Sequence, residues 1–332
     1  MAAASGAAAG RGGGGRGGGG TPLAVVDGLA VVDKPAGFTS HDVIGVCRKR
    51  FGQKRIGHAG TLDPDATGVL IVAFGRVTRL LQFVTGMSKS YQAEVVLGVA
   101  TSTLDAAGEV TGRWDQSGVT LEQARNAAAG FVGTTWQVPP MVSAVKVGGR
   151  RLHQLARAGV EVERSAREVH VTRFDVDLSP NTPATAAAED PCDGPVLLVH
   201  IDCSSGTYVR VLAADLGAAL GGGAHVRRLR RTAFGPWTEE QAVALDSLDR
   251  DSLLPPLAAL PGMDRVMISP EAASEVAHGK VMDAAAIGAT GAGPWSIIGP
   301  NGDLLAVYQR HGAGRVKPAV VLAGSFTARD GG

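Results

Sequence analysis

The twelve residues Gly57-His58-Ala59-Gly60-Thr61-Leu62-Asp63-Pro64-Asp65-Ala66-Thr67-Gly68 run straight into the apolar stretch Val69-Leu70-Ile71-Val72-Ala73-Phe74. The first part is too rich in glycine and proline for a regular element and reads as a loop. The second reads as a buried strand. Any fold of this chain must therefore carry a polar loop on the end of a core strand. Two carboxylates, a histidine and two threonines sit on that loop among small residues, which let a substrate approach the backbone closely. Pro64 restricts Asp63 to extended backbone and so helps fix the direction of its side chain. On composition alone, an ordinary surface turn explains such a loop as well as a site does.

The elements around the loop follow from local signals. Leu23–Val32 reads as a strand, stopped by the turn Asp33-Lys34-Pro35-Ala36-Gly37. Thr39-Ser40 offers an N-cap to a helix over Asp42–Phe51, with Val43, Ile44 and Cys47 at helical spacing. A short helix is expected over Thr78–Val84, a strand over Lys89–Val99, and a helix over Leu121–Gly130 capped by Thr120. Pro195–Cys203 reads as a strand, Ser204-Ser205-Gly206-Thr207 as a turn and cap, and Tyr208–Leu220 as a helix stopped by three glycines. Residues 139–173 open on Pro139-Pro140, are densely charged, and read as an exposed excursion. Three prolines at 255, 256 and 261 suggest a linker over 246–262. Strands and helices without regular βαβ alternation favour an α+β fold over a doubly wound sheet.

The 332 residues are 45% hydrophobic and 19% charged, enough apolar material for a sizeable core and unlike a disordered chain. The net charge of +1 decides nothing about partners, but its distribution is uneven. Between Asp33 and Lys89 stand nine Lys and Arg against four Asp, and Arg227-Arg228-Leu229-Arg230-Arg231 holds four Arg and no acid. Acids gather elsewhere, at Glu189, Asp190 and Asp193 and over 239–251. That segregation allows a basic face for a phosphate backbone, with plain solvated surface as the equal alternative. Cys47, Cys192 and Cys203 form no C-x-x-C pair, which speaks against structural zinc or a disulfide framework and fits a reducing compartment. Residues 1–22, mostly Gly and Ala, read as a flexible tail without the apolar core of a signal peptide, and no apolar run is long enough to span a membrane.

Asp63, Asp65, Thr67 and Gly68 fit D-x-D-x-T-G, the pattern of Mg²⁺-dependent phosphotransferases of the haloacid-dehalogenase type. That motif belongs at the end of a buried strand, and here the apolar strand comes after it. The longer string GHAGTLDPDATGVL instead resembles the signature loop of the TruB family of tRNA pseudouridine synthases. Further resemblances follow in the family's order: Asp33–Asp42 (DKPAGFTSHD), Lys89–Ala93 (KSYQA), Gln137–Lys146 (QVPPMVSAVK), Cys203–Leu212 (CSSGTYVRVL) and Gly223–Arg231 (GAHVRRLRR). Three places depart from it. Val142 and His153 stand where the family carries Tyr, and Ala100–Asp105 keeps only the last acid of the family's R-T-D-T-x-D.

The resemblance implies an α+β fold: a mixed pseudouridine-synthase sheet with flanking helices, plus a small, mostly β, PUA-like C-terminal domain. It divides the chain into a catalytic domain at 23–262, a thumb-like RNA-binding insertion at 139–173, and the PUA-like domain at 263–328. The implied activity is isomerisation of uridine to pseudouridine in the T loop of tRNA on a flipped-out nucleotide, with help to tRNA folding as a second role. Asp63 would be the nucleophile, whether by attack at C1′, by proton removal at C2′ to give a glycal, or by attack at C6. Arg210 would pair with it, and Tyr91 would stack on the base and serve as a proton acceptor or relay. Leu229 would pack beneath the base, Tyr208 would line the pocket, and Lys34 would support its floor. His58 would stack within the T loop, while Lys146, Arg227 and Arg228 would meet RNA. No cofactor, metal, membrane or obligate protein partner is implied; the expectation is a cytoplasmic monomer bound to the T arm of tRNA.

Overall fold

The computed structural model describes residues 25–140, 160, 162–180 and 194–322, and the backbone alone of Lys146–Val147 and Arg150–Arg151. The expected tail, Val142, His153 and the side chain of Lys146 lie outside the described residues, as does Cys192.

A ten-stranded mixed sheet organises the chain. Its strands are β1 (Gly28–Lys34), β2 (Ile56–Ala59), β3 (Thr67–Phe74), β4 (Lys89–Leu97), β5 (Gly133–Gln137), β6 (Arg167–Leu178), β7 (Val196–Cys203), β8 (Ala224–Phe234), β9 (Trp237–Thr238) and β10 (Val243–Ala244). They lie in the order β10-β1-β3-β8-β4-β7-β6-β5, with β2 paired to β3 and β9 to β8. β3 runs parallel to β8, and β8 antiparallel to β4. Every residue of β3 from Gly68 to Phe74 is buried, as its unbroken apolar run requires of a strand covered on both faces.

Helix α1 (Ser40–Phe51) begins in a full capping box: the Thr39 side chain accepts from the Asp42 N–H, and the Asp42 carboxylate accepts from the Thr39 N–H. Its buried face is Val43, Ile44, Cys47 and Phe51. Helix α2 (Leu121–Ala129) starts with the same device between Thr120 and Gln123. Helix α3 (Val209–Ala219) packs against the face of β8, over the main core that also holds α2.

Four expectations need correction. The Gly57–Gly68 stretch is not wholly loop, because Ile56–Ala59 pairs antiparallel with β3; glycine carries no strand propensity, but a neighbouring core strand supplies the ladder. The exposed excursion does not reach residue 173, since Arg167–Leu178 is a long strand within the sheet. The helix expected over Thr78–Val84 is a 3₁₀ turn, Gly75–Leu80, leading into one α-turn, Leu81–Val84. The proline-rich stretch 246–262 is not a free linker: Leu254 exchanges backbone hydrogen bonds with Leu29, and Ala259 and Leu260 are buried in the core.

Beyond it, β11 (Asp264–Met267), β12 (Met282–Asp283), β13 (Trp295–Ile298), β14 (Leu304–Arg310) and β15 (Arg315–Val321) form a separate five-stranded sheet in the order β11-β13-β14-β15-β12, as the short apolar pieces predicted. Ile298, Leu304, Val307, Val320 and Leu322 of this unit share a core with Leu29, Val31, Val69 and Ile71 of the large sheet. Arg76 and Arg79 reach across to the carbonyls of Leu322 and Val321. Two cations that the sequence offers to a basic face therefore hold the two sheets together.

Candidate active site

The Asp63 loop leaves β2 and enters its neighbour β3, and side chains from α1 and β1 hold it down. The Ser40 hydroxyl, at the start of α1, accepts from the Leu62 N–H at 3.0 Å. Lys34 is fully buried beneath the loop, and its ammonium donates to the carbonyls of Pro35, Phe38 and Pro64 at 2.9, 2.6 and 2.8 Å. Burial lowers the Lys34 pKa to about 8 against the pull of Asp65 and Asp63. Lys34 thus ties the ends of the turn after β1 to the Asp63 loop. Gly68 closes the loop at φ +95, where a Cβ would stand 2.2 Å from the Arg231 carbonyl oxygen; no other residue lets β3 come so close to β8.

Arg210, in the first turn of α3, is only 4% exposed. Its Nε lies 3.0 Å from Asp63 Oδ2, and its Nη1 lies 3.0 Å from Asp105 Oδ2 while donating to the Thr103 carbonyl at 2.9 Å. One guanidinium thus bridges two carboxylates that stand far apart in sequence. The Asp63 side chain remains 40% exposed, open to the cavity beside it. Loss of hydration raises its pKa above the ordinary carboxylate value; Arg210 opposes that rise, Asp105 adds to it, and Lys34 opposes it in turn.

That cavity, of about 400 Å³, is lined by Asp63, Tyr91, Tyr208, Arg210, Leu229 and Arg231, among other residues. Five sequence-predicted residues from four separate motifs therefore meet around one pocket. Tyr91 stands on β4 and Leu229 on β8, two neighbouring strands; Tyr91 is 8% exposed. Tyr208 occupies the N-cap position of α3, but its side chain does no capping. The buried Gln137 does it instead, its Oε1 accepting from the Tyr208 N–H at 2.9 Å. The expected Ser204–Thr207 cap is accordingly absent from this helix start, and the end of β5 sets the position of the pocket wall.

The remaining candidates lie apart. His58, on β2, packs edge-on against His41 with ring centroids 5.5 Å apart and does not line the cavity. Arg227 donates to the buried Glu94 at 3.0 Å, and Arg228, 72% exposed, lies 3.7 Å from the same carboxylate. Both border a second cavity that shares Asp63, Arg210 and Leu229 as its wall with the first. Asp65 is exposed at the edge of that second cavity, and the carboxylate that shares Arg210 with Asp63 is Asp105, not Asp65. The residues that sequence reasoning missed are Arg231, fully buried at the pocket wall, Lys89 beside it, and Gln137. The Arg227–Arg231 run carried the first in plain view, read as surface charge.

Comparison with known proteins places these features in a family. The TruB family pseudouridylate synthase N-terminal domain matches residues 48–209, and the tRNA pseudouridylate synthase B C-terminal domain matches 210–254. The tRNA pseudouridine synthase B of Thermobifida fusca (strain YX) is 43% identical over 303 residues, covering 91% of this chain and all of the relative. That of Symbiobacterium thermophilum is 48% identical over 257 residues, 76% of this chain and 82% of its own. Among solved structures, a Cbf5-Nop10-Gar1 complex aligns over 90% of this chain and 84% of its own at TM-score 0.64 and 26% identity. An H/ACA RNP bound to a substrate RNA containing 2′-deoxyuridine shares the fold at TM-score 0.63 and 23% identity, over 90% and 85%.

Proposed function

The chain belongs to the TruB family of pseudouridylate synthases, and from that premise we propose that it isomerises uridine to pseudouridine in the T loop of tRNA with Asp63 as nucleophile. The observation that carries this reading is the Asp63–Arg210–Asp105 arrangement at the wall of a pocket that also presents Tyr91 and Leu229. Uridine and pseudouridine are isomers. The N1–C1′ bond breaks, a C5–C1′ bond forms, the C5 proton departs and N1 gains one. No electrons are exchanged with a third party, so a nucleophile, a proton acceptor and a shaped pocket suffice.

Arg210 holds one oxygen of Asp63 and so sets the direction of the carboxylate, while the 40% exposure of the Asp63 side chain gives it access to substrate. Tyr91 and Leu229 take the two sides of the base, and Tyr91 accepts the proton released from C5. Asp105 anchors the far end of Arg210, so that the cation cannot swing away with its catalytic partner. A pocket of about 400 Å³ admits a single nucleotide and not a helix. The target must therefore be extruded, at about a few kcal/mol. Stacking by His58 and phosphate contacts from Arg228 offset that cost.

The test is incubation with an unmodified tRNA transcript followed by mapping of pseudouridine. Conversion of one T-loop uridine is expected, and it should run to completion in excess EDTA once the RNA fold has been checked. Product elsewhere in the tRNA, or a strict need for Mg²⁺ in chemistry on folded RNA, would contradict the proposal.

A further inference from the structure

Arg231 is the largest buried charge that the mechanism above does not use. Its side chain is wholly enclosed, with Nε donating to the Val69 carbonyl at 2.6 Å and Nη2 to the Gly60 carbonyl at 2.9 Å. Nη1 has no carbonyl or carboxylate acceptor among the described residues. Every other arginine near the pocket meets an acid: Arg210 has two, Arg230 two, and Arg227 and Arg228 share Glu94. The nearest cation makes the imbalance worse. Lys89 Nζ lies 4.3 Å from the centre of the Phe234 ring, and the Arg231 guanidinium lies 5.1 Å from the same ring. A buried, uncompensated guanidinium is costly, and it stays charged where an ammonium would neutralise. Lys89 gives way part of the distance, its pKa lowered to about 8 by burial and by Arg231.

What Arg231 faces is Tyr91. The two are directly opposed residues of the β8–β4 ladder, so their side chains leave the sheet on the same face. Both side chains line the same pocket, and the charge of the guanidinium favours the ionised phenol. Because Arg231 has no exposed surface, it cannot touch a substrate; Tyr91 can.

We propose that Arg231 is a positioning residue for Tyr91, fixing the phenol oxygen at the pocket wall and stabilising its phenolate, so that the phenolate receives the C5 proton while N1 takes one from solvent. This rests on the reading of the pocket as a uridine isomerase site. Groups facing Tyr91 are Arg231 from β8, Cys203 from β7, and Asp63 from the loop. Burial raises the tyrosine's pKa, Arg231 opposes that rise, and Cys203 and Asp63 add to it. Cys203, itself pushed up to about 11, is neutral at working pH.

Two measurements test it. The first is a double-mutant cycle on single-turnover pseudouridine formation, with tRNA affinity followed in parallel. Arg231→Met should slow the chemical step on the order of 100-fold, the scale of one acid–base group, with little change in affinity. Arg231→Lys should recover part of that loss. In a Tyr91→Phe background, Arg231→Met should cost less than about threefold, because the group it serves is gone. Losses that simply add would assign Arg231 a structural role and overturn the proposal. A Tyr91→Phe enzyme at full rate would instead overturn the reading of Tyr91, a distinguishable failure. The second measurement needs no turnover. The chain has three tyrosines, at 91, 208 and 308, so Tyr91→Phe identifies the Tyr91 signal in an alkaline absorbance titration. Tyr91 should ionise before the protein unfolds, and Arg231→Met or Arg231→Lys should move that midpoint upward. If Arg231→Met does not fold, the Lys variant carries both tests. No Tyr91 ionisation in the folded wild type, or an unmoved midpoint, would overturn the proposal.

Discussion

Arg210 and Arg230 stand in almost the same chemical situation, and they do different things. Each guanidinium bridges two carboxylates: Arg210 joins Asp63 and Asp105 at 3.0 Å each, and Arg230 joins Asp33 at 3.0 Å and Glu239 at 2.6 Å. The partners of Arg230 come from the end of β1 and the turn after β9, so that ion pair stitches three segments of scaffold. Arg210 is far more buried, at 4% exposure against 33%, and one of its two carboxylates opens onto the cavity. Asp33 and Arg230 also line a cavity, but it holds neither Tyr91 nor Leu229; the ion pair that turns a carboxylate toward the pocket holding both is the one placed to orient a reactive group.

The largest way to break this contrast is to remove each cation in turn. Arg210→Ala should lower turnover on the order of 10² to 10³-fold, the scale of one preorganised electrostatic partner, with tRNA affinity held within about tenfold. Arg230→Met should leave turnover within about twofold and cost about 1–2 kcal/mol in urea unfolding, since a third of it is exposed and screened. A slow Arg230→Met enzyme of normal stability would erase the distinction.

A smaller effect separates Arg227 from Arg228. Arg228 is 72% exposed, so Arg228→Ala should weaken tRNA binding and reduce the slope of log affinity against log salt by about 1. Arg227 is committed to the buried Glu94, so Arg227→Ala should show mainly in unfolding. Equal salt slopes for the two variants would mean that both reach phosphate. The smallest effect concerns Lys89. Its folded pKa, about 8, lies below the unfolded value near 10.5. Between those values the unfolded chain binds the extra proton, so stability should rise as pH goes from 8 toward 10. Lys34, lowered to about 8 as well, contributes a rise of its own, so Lys89→Met should reduce the rise without removing it, as seen in urea midpoints at the two pH values.

The same contrast explains what the sequence could and could not say. The Asp63 loop, α1 with its Thr39 cap and the buried run of β3 are local patterns, and they were legible without a structure. Family strings brought Tyr91, Arg210 and Leu229 to one pocket. The second partner of Arg210 was not legible as such: Asp105 lies in a departing segment over a hundred residues away, and only the fold joins them. Nor was the fate of the Arg227–Arg231 run. As a string it reads as surface charge, yet in the sheet one Arg is enclosed, one bridges Asp33 and Glu239, and two share Glu94. Strand β2 was hidden by its glycine and short length, because its pairing with β3 is a tertiary fact.

The central claim is that one carboxylate carries the chemistry while many contacts carry the binding. Asp63→Asn and Asp65→Asn test it side by side, each measured for pseudouridine formation and for tRNA affinity. Asp63→Asn keeps the shape and removes the charge, so product formation should vanish while affinity stays within roughly tenfold, about 1.4 kcal/mol. Asp65→Asn, at an exposed position outside the Arg210 bridge, should keep substantial activity. Equal loss of activity in the two variants would contradict the account and return the loop to a chemistry that needs both carboxylates.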